Sequence, residues 1–176
     1  AGFIGSKLAD NLLNAGYKIY GIDNLNNYYD VKLKHYRLNY LKKYKSFEFF
    51  KIDISNSTRL KRFLKGKRID IICHLAAQAG VRYSLINPFA YVQSNLVGFS
   101  NIIELSKRFN VKNFLYASSS SVYGGNENMP FKESSDVGHP VSLYAATKKS
   151  NELMAHSYSH LYNIPSIGLR FFTVYG

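Results

Sequence analysis

The chain has 176 residues, enough for one domain with a sizeable core. Its formal net charge is +12, from 23 Lys and Arg against 11 Asp and Glu; it has one cysteine, and no run approaches the roughly 18 apolar residues of a membrane span. An intrachain disulfide is excluded, and nothing in the composition points to secretion or a membrane partner, so a cytoplasmic protein is expected.

Ile4, Leu8 and Leu12 recur at helical spacing and stop at Gly16. Residues 17–22 then read as a strand and 33–44 as a helix. Six basic residues and no acid lie within 32–45, and six more basic residues lie within 59–68. In the first stretch they alternate with Leu33, Tyr36, Tyr40, Leu41 and Tyr44, the pattern of a solvated helix face rather than of a nucleic-acid footprint. Residues 47–52 read as the next strand, 58–64 as a short helix, and 70–75 as a strand closing on the small residues Ala76, Ala77, Ala79 and Gly80. Cys73 stands in that strand and is expected to be a buried small residue. Val92, Leu96, Phe99 and Ile103 mark a long helix opening after Pro88. Residues 113–117 read as a strand, 144–161 as a helix and 166–172 as the last strand, set off by Pro165. Strand and helix alternating in this way predict an α/β fold, a doubly wound parallel sheet with helices on both faces. Residues 124–143, rich in Gly, Asn, Ser and Pro, are left as a long loop, a feature that compact domains usually keep for function.

Ligands of such sheets bind beyond the carboxyl ends of the strands, where the candidate residues gather. Gly2-Phe3-Ile4-Gly5 opening a helix has the form of half a dinucleotide fingerprint, with backbone free to approach a pyrophosphate. Asp23 ends the next strand, where a carboxylate would bond ribose hydroxyls and repel a 2′-phosphate, favouring NAD over NADP. Asp23 and Asn24 also suit a turn, and Asp53 is placed either to meet the adenine or to make an Asx turn. The small side chains of Ala76 and Ala77 would let a cofactor lie close to the backbone. With Ile54, Leu75 and Asn95 these make the candidate NAD contacts.

The catalytic candidates are the serine run Ser118-Ser119-Ser120-Ser121 at a strand end and Tyr144-Ala-Ala-Thr-Lys148 at a helix head. With 15 Tyr and 16 Lys, about 1.4 Tyr-x-x-x-Lys matches arise by chance, so the spacing alone decides little. Tyr28 and Lys32 form a second match with no supporting neighbours. Tyr144 and Lys148 lie on one helical face, where an ammonium and a positive nicotinamide would favour the phenolate of a group that otherwise titrates near about 10. Ser119 would hydrogen-bond the reacting oxygen. His156 and His160 stand i, i+4 but lack an acidic third ligand, so no metal is expected. Arg82 would contact a phosphate or carboxylate, or make a surface ion pair.

Together these residues resemble the extended short-chain dehydrogenase/reductase superfamily, among its nucleotide-sugar epimerases and dehydratases, in particular the UDP-glucuronate 4-epimerases of capsular-polysaccharide type. The subgroup likeness lies in His74-Leu-Ala-Ala-Gln-Ala-Gly-Val-Arg-Tyr-Ser84, His139-Pro-Val-Ser-Leu-Tyr-Ala-Ala-Thr-Lys148 and Arg170-Phe-Phe-Thr-Val-Tyr-Gly176. The resemblance implies Tyr144 as base, Lys148 as its tuner and ribose ligand, and Ser119 as oxyanion partner. It places Ser120 and Ser121 against the sugar, where dehydratases carry Asp and Glu, and makes Thr173 a contact to the sugar C5 carboxylate. The implied reaction interconverts UDP-glucuronate and UDP-galacturonate through a 4-keto sugar, with NAD as cofactor and a homodimer as the full-length state. It also implies that residues 1–176 are an NAD-binding Rossmann domain cut at both ends, without its first strand, first glycine and C-terminal substrate domain. Rival readings are a 4-epimerase for UDP-galactose or a UDP-N-acetylhexosamine, a nucleotide-sugar dehydratase, and a non-catalytic NAD-binding protein.

Overall fold

Gly2 is extended (φ −70°, ψ 174°) and caps helix α1 (Phe3–Asn14), the amide of Ser6 bonding the Gly2 carbonyl at 3.0 Å. The helix stops where Gly16 takes φ +87°, a conformation that a Cβ would strain. Strand β1 (Ile19–Asp23) follows, then helix α2 (Val31–Leu41) and strand β2 (Phe47–Lys51). Asp30 starts α2 two residues before the apolar pattern does, its carboxylate accepting from the Lys32 amide at 2.8 Å. The two strands pair in parallel, Ile19 opposite Phe47 and Asp23 opposite Lys51. Leu13, Leu38, Leu41 and Phe47 are buried together between this ladder and its helices. Helix α3 (Ser57–Leu64) follows. These coordinates, a computed structural model, describe residues 1–127 and 129–175, so Asn128 of the expected long loop and Gly176 of the terminal motif lie outside the described residues.

The chain divides into two compact units, Ala1–Phe63 and Leu64–Gly176. In the second, strands β3 (Ile71–His74), β4 (Asn113–Ala117) and β5 (Ser166–Leu169) form a parallel sheet in that order. Helices α4 (Tyr83–Ile86) and α5 (Pro88–Tyr91), a π-helix (Val92–Gly98) and α6 (Phe99–Phe109) connect β3 to β4. A 3₁₀ turn (Ser120–Tyr123), a loop and helix α7 (Leu143–Tyr162) connect β4 to β5. Ser142 caps α7 by accepting from the Ala145 amide at 3.1 Å, and Asn163 ends it in the left-handed region at φ 52°. Phe99, Phe114 and Tyr116 form the aromatic centre of the unit, with ring centroids 5.4 to 5.7 Å apart.

The expected α/β architecture with parallel strands is present, its strands pairing β1 with β2 in the first unit and β3 through β4 to β5 in the second. Two expectations change. The long helix after Pro88 is three segments. Its middle is a π-helix, where the Asn151 side chain donates to the Asn95 carbonyl at 2.6 Å and competes with the regular helical ladder. Cys73 is exposed rather than buried. It alternates with His74 along β3, and helix packing within the unit covers the His74 side of the strand. Among the described residues no helix is long and apolar enough to cross a membrane.

The β4–β5 ladder carries a tight contact. Gly168 pairs with Tyr116, and a Cβ at residue 168 would lie 2.5 Å from the phenolic oxygen of that buried ring. Tyr116 is buried, its ring packed on Phe99 and Phe114. Gly168→Ala should therefore cost about 1–3 kcal/mol, the range of an overpacked core. Urea denaturation measures this, and an unchanged midpoint would contradict the packing.

Candidate active site

In a parallel sheet all strands end on one edge, so the residues after His74, Ala117 and Leu169 emerge together in the second unit. Ladder pairing continues past the strands: the Ser118 amide bonds the Leu169 carbonyl and the Ser120 amide the Phe171 carbonyl, both at 2.8 Å. This laces the serine run to residues 169–171. Between those two bonds Ser119 is free to turn its hydroxyl elsewhere. Its hydroxyl donates to the Ser121 hydroxyl at 3.2 Å, and its influence on the Tyr144 phenol favours the phenolate. Ser119 further caps the 3₁₀ turn, accepting from the Ser121 amide at 3.2 Å.

Tyr144 is half-buried in the first turn of α7, its ring edge-on to Tyr91 at 6.0 Å. Tyr91 is itself held by bonds to the Ala79 carbonyl (2.8 Å) and the Gly80 carbonyl. Burial pushes the Tyr144 phenol up from its ordinary value, and the Ser119 hydrogen bond pulls it back. Lys148, one turn on, is 3% exposed and donates to the Ala117 carbonyl at 2.8 Å. Burial brings it down to about 8. The sequence places this ammonium beside the phenol; its bonded partner in the structure is the end of β4. His74, packed on Phe99 and Phe114 and facing the charge of Lys148, is desolvated and brought down to about 3, so it is neutral.

Asn95 sits at the middle of the π-helix and is buried. Its side chain accepts from the Gln78 amide (2.8 Å) and donates to the Gln78 carbonyl (3.0 Å) and to Thr147 Oγ1 (3.1 Å). Thr147 in turn donates to the Tyr144 carbonyl at 2.8 Å. One side chain therefore ties Gln78, the residue after Leu75-Ala76-Ala77, to the head of α7. Ser120 and Ser121 open the 3₁₀ turn and are half-buried; Thr173 and Arg82 are exposed, Arg82 at the head of α4. His156 and His160 are exposed on α7.

In the first unit, Asp23 ends β1 and accepts from the Leu25 amide at 2.7 Å. Phe3 is exposed and Ile4 half-buried. Asp53 makes the Asx turn, bonding the Ser55 amide and hydroxyl, and also accepts from Asn24 Nδ2 at 2.9 Å. Ile54 is buried behind it. Asn24, Asn26, Lys51, Asp53 and Arg59 line an open polar cavity of about 540 Å³.

Sequence reasoning missed Glu152, Asn151 and Tyr91. Glu152 follows Lys148 at the next i+4 position, a signal present in the sequence but without meaning until its partners are known.

The whole chain, residues 1–176, matches the family described as the NAD dependent epimerase/dehydratase family. The chain belongs to that family. It is 55% identical over its full length to protein CapI of Staphylococcus aureus, covering 52% of that protein. It is 49% identical to a UDP-glucuronate 4-epimerase of Thermodesulfobacterium geofontis, covering 54% of it. Among solved structures it resembles the Bacillus cereus UDP-glucuronic acid 4-epimerase in complex with UDP-glucuronic acid and NAD, with a TM-score of 0.88 and 36% identity over 99% of this chain and 55% of that one. The chain thus spans about half the length of the relatives it matches.

The buried Lys148 sets a pH dependence. Its folded value of about 8 lies below the ordinary 10.5, so the unfolded chain holds the proton more tightly. Stability should rise as pH climbs from about 8 towards 10 and be lost as pH falls back, by up to about 1.4 kcal/mol per pH unit. Lys148→Met should remove that dependence. Urea midpoints across this range test it; a wild-type-minus-variant difference that stays constant with pH would refute the assignment.

Proposed function

We propose that this chain is the cofactor-binding and catalytic portion of an NAD-dependent UDP-glucuronate 4-epimerase. The observation that carries the catalytic part is the meeting, at the rim of the β4 strand, of Ser119, the Tyr144 phenol whose phenolate Ser119 favours, and buried Lys148 one turn on, bonded to the Ala117 carbonyl. The sugar class rests on the 49% identity to a UDP-glucuronate 4-epimerase and on the serines at 120 and 121, which leave no acid or base there for eliminating water.

NAD, when bound, supplies an acceptor and donor of hydride for the sugar C4 carbon. In the first unit the proposed contacts are Gly2, Phe3 and Ile4 at the head of α1, Asp23 and Asn24 after β1, and Asp53 and Ile54 after β2. In the second they are Leu75, Ala76, Ala77, Asn95, Tyr144 and Lys148. The residues suit such a group: a capping glycine with no Cβ contact within 4 Å, a carboxylate at the end of β1, and a polar cavity that includes Asn24 and Asp53.

Within this reading Tyr144 takes the proton from the C4 hydroxyl and returns it after the 4-keto sugar has turned over. Ser119 donates to the same oxygen as charge develops there. Ser120, Ser121, Thr173 and Arg82 are the proposed sugar contacts, Thr173 facing the carboxylate. Lys148 braces the helix head against β4 and supplies positive charge in a dry site, which favours the anionic phenol. The full-length protein is proposed to be a homodimer.

Tyr144→Phe should lower turnover of UDP-glucuronate by about 10²–10⁴-fold while NAD content is unchanged. Retained turnover would leave a non-catalytic NAD-binding protein as the better reading, and faster turnover of UDP-glucose than of UDP-glucuronate would overturn the uronate assignment. Ser119→Ala removes a bond that favours the phenolate, so the phenol should titrate higher. The acid limb of the kcat profile should then move to higher pH, with kcat down by about 10²-fold. A limb that stays in place would remove Ser119 from the proton transfer.

A further inference from the structure

Behind the serine run lies an ion pair that the proposed chemistry does not use. Glu152 is one turn past Lys148 and two past Tyr144 on α7. It accepts from Arg170 Nε at 2.9 Å and Nη2 at 3.0 Å, a two-point pairing. It also accepts from the Ser118 hydroxyl at 2.7 Å. Both side chains are mostly buried, at 19% and 14% exposure for Arg170 and Glu152. Burial alone would raise the Glu152 carboxyl, but the bonds from Arg170 and Ser118 outweigh it and hold it below the usual range.

Arg170 spends its remaining contacts on the loop between the catalytic elements. Nη1 donates to the Glu133 carbonyl at 3.1 Å, and the guanidinium lies 5.0 Å from the Tyr123 ring centre. Tyr123 stacks on Phe131 at 4.6 Å, and both stack on Phe172, the neighbour of Thr173. Adjacent residues of the strand end are therefore tied to two points of one helix, Ala117 to Lys148 and Ser118 to Glu152, about 6 Å apart along its axis. With both ties made, the strand end can neither slide along α7 nor roll away from it.

We infer that the Glu152–Arg170 pair is a positioning element of the active site, holding Ser118 and so keeping the next residue, Ser119, turned towards Tyr144. The inference rests on the epimerase reading above, and it concerns residues that do not touch the sugar. A conventional structural ion pair would affect stability alone. A positioning pair affects turnover through Ser119, and so its loss must not add to the loss of Ser119 itself.

The test uses Glu152→Gln, Ser118→Ala, Ser119→Ala and the Glu152→Gln/Ser119→Ala double variant in the polypeptide that carries this chain, with turnover followed on UDP-glucuronate and in parallel on UDP-glucose. Glu152→Gln should lower kcat by about 10–100-fold with KM changed less than about twofold, and move the acid limb of kcat to higher pH as Ser119→Ala does. Ser118→Ala keeps the ion pair intact and should show the same signature with a smaller loss; it decides the matter if Glu152→Gln does not fold. In the double variant the Glu152 change should cost less than about threefold beyond Ser119→Ala. Wild-type kcat and pH limb in folded Glu152→Gln and Ser118→Ala would overturn the inference, as would losses that multiply in the double variant. If only UDP-glucose is turned over, the uronate reading falls, while the same comparison on UDP-glucose still judges the pair.

Discussion

A parallel ladder forces the carboxyl ends of its strands onto one edge, and the candidate catalytic residues of the second unit gather there. β3, β4 and β5 run in register, so the turns after His74, Ala117 and Leu169 emerge side by side. The ladder does not stop cleanly: amides of Ser118 and Ser120 keep pairing with carbonyls of Leu169 and Phe171. That extension makes the serine run rigid enough to present one hydroxyl, Ser119, while its neighbours are spent on backbone and ion pair.

The second constraint is satisfaction of polar groups in a dry setting. Lys148, Asn95, Asn151, Thr147 and Ser118 are all buried, and among the described residues no buried side-chain nitrogen or oxygen lacks a partner. An unpaired polar group in such a place costs about 1–3 kcal/mol, so each bond here restricts geometry as well as stabilising it. Asn95 is the clearest case. Its amide is divided between Gln78 and Thr147 and its carbonyl is taken by Asn151, and the helix that carries it widens into a π-turn. The irregularity of that helix is the local cost of holding the β3 turn against α7.

Much of this was legible in the residues. β4 is observed over the stretch the apolar pattern marked, and α7 begins one residue earlier than Tyr144 because Ser142 caps it. The serine run, Tyr144 and Lys148 were legible as candidates because the chemistry proposed for them depends on short spacings and on strand or helix ends. Glu152 and Arg170 were not, since eighteen positions separate them and nothing local marks them as a pair. Cys73 was misjudged for a related reason. Alternation says that neighbouring residues face opposite sides of a strand, but not which side is covered.

Periodicity, caps and turn residues act over a few positions, so the sequence by itself determined the order and type of the elements, the α/β class and the residues capable of proton transfer. Which edge those residues share, which neutral or charged partner each one meets, and where the Lys148 ammonium is anchored were decided only by tertiary structure. These depend on strand register, on burial and on contacts between positions far apart along the chain, and such contacts form only once the sheet has brought them together.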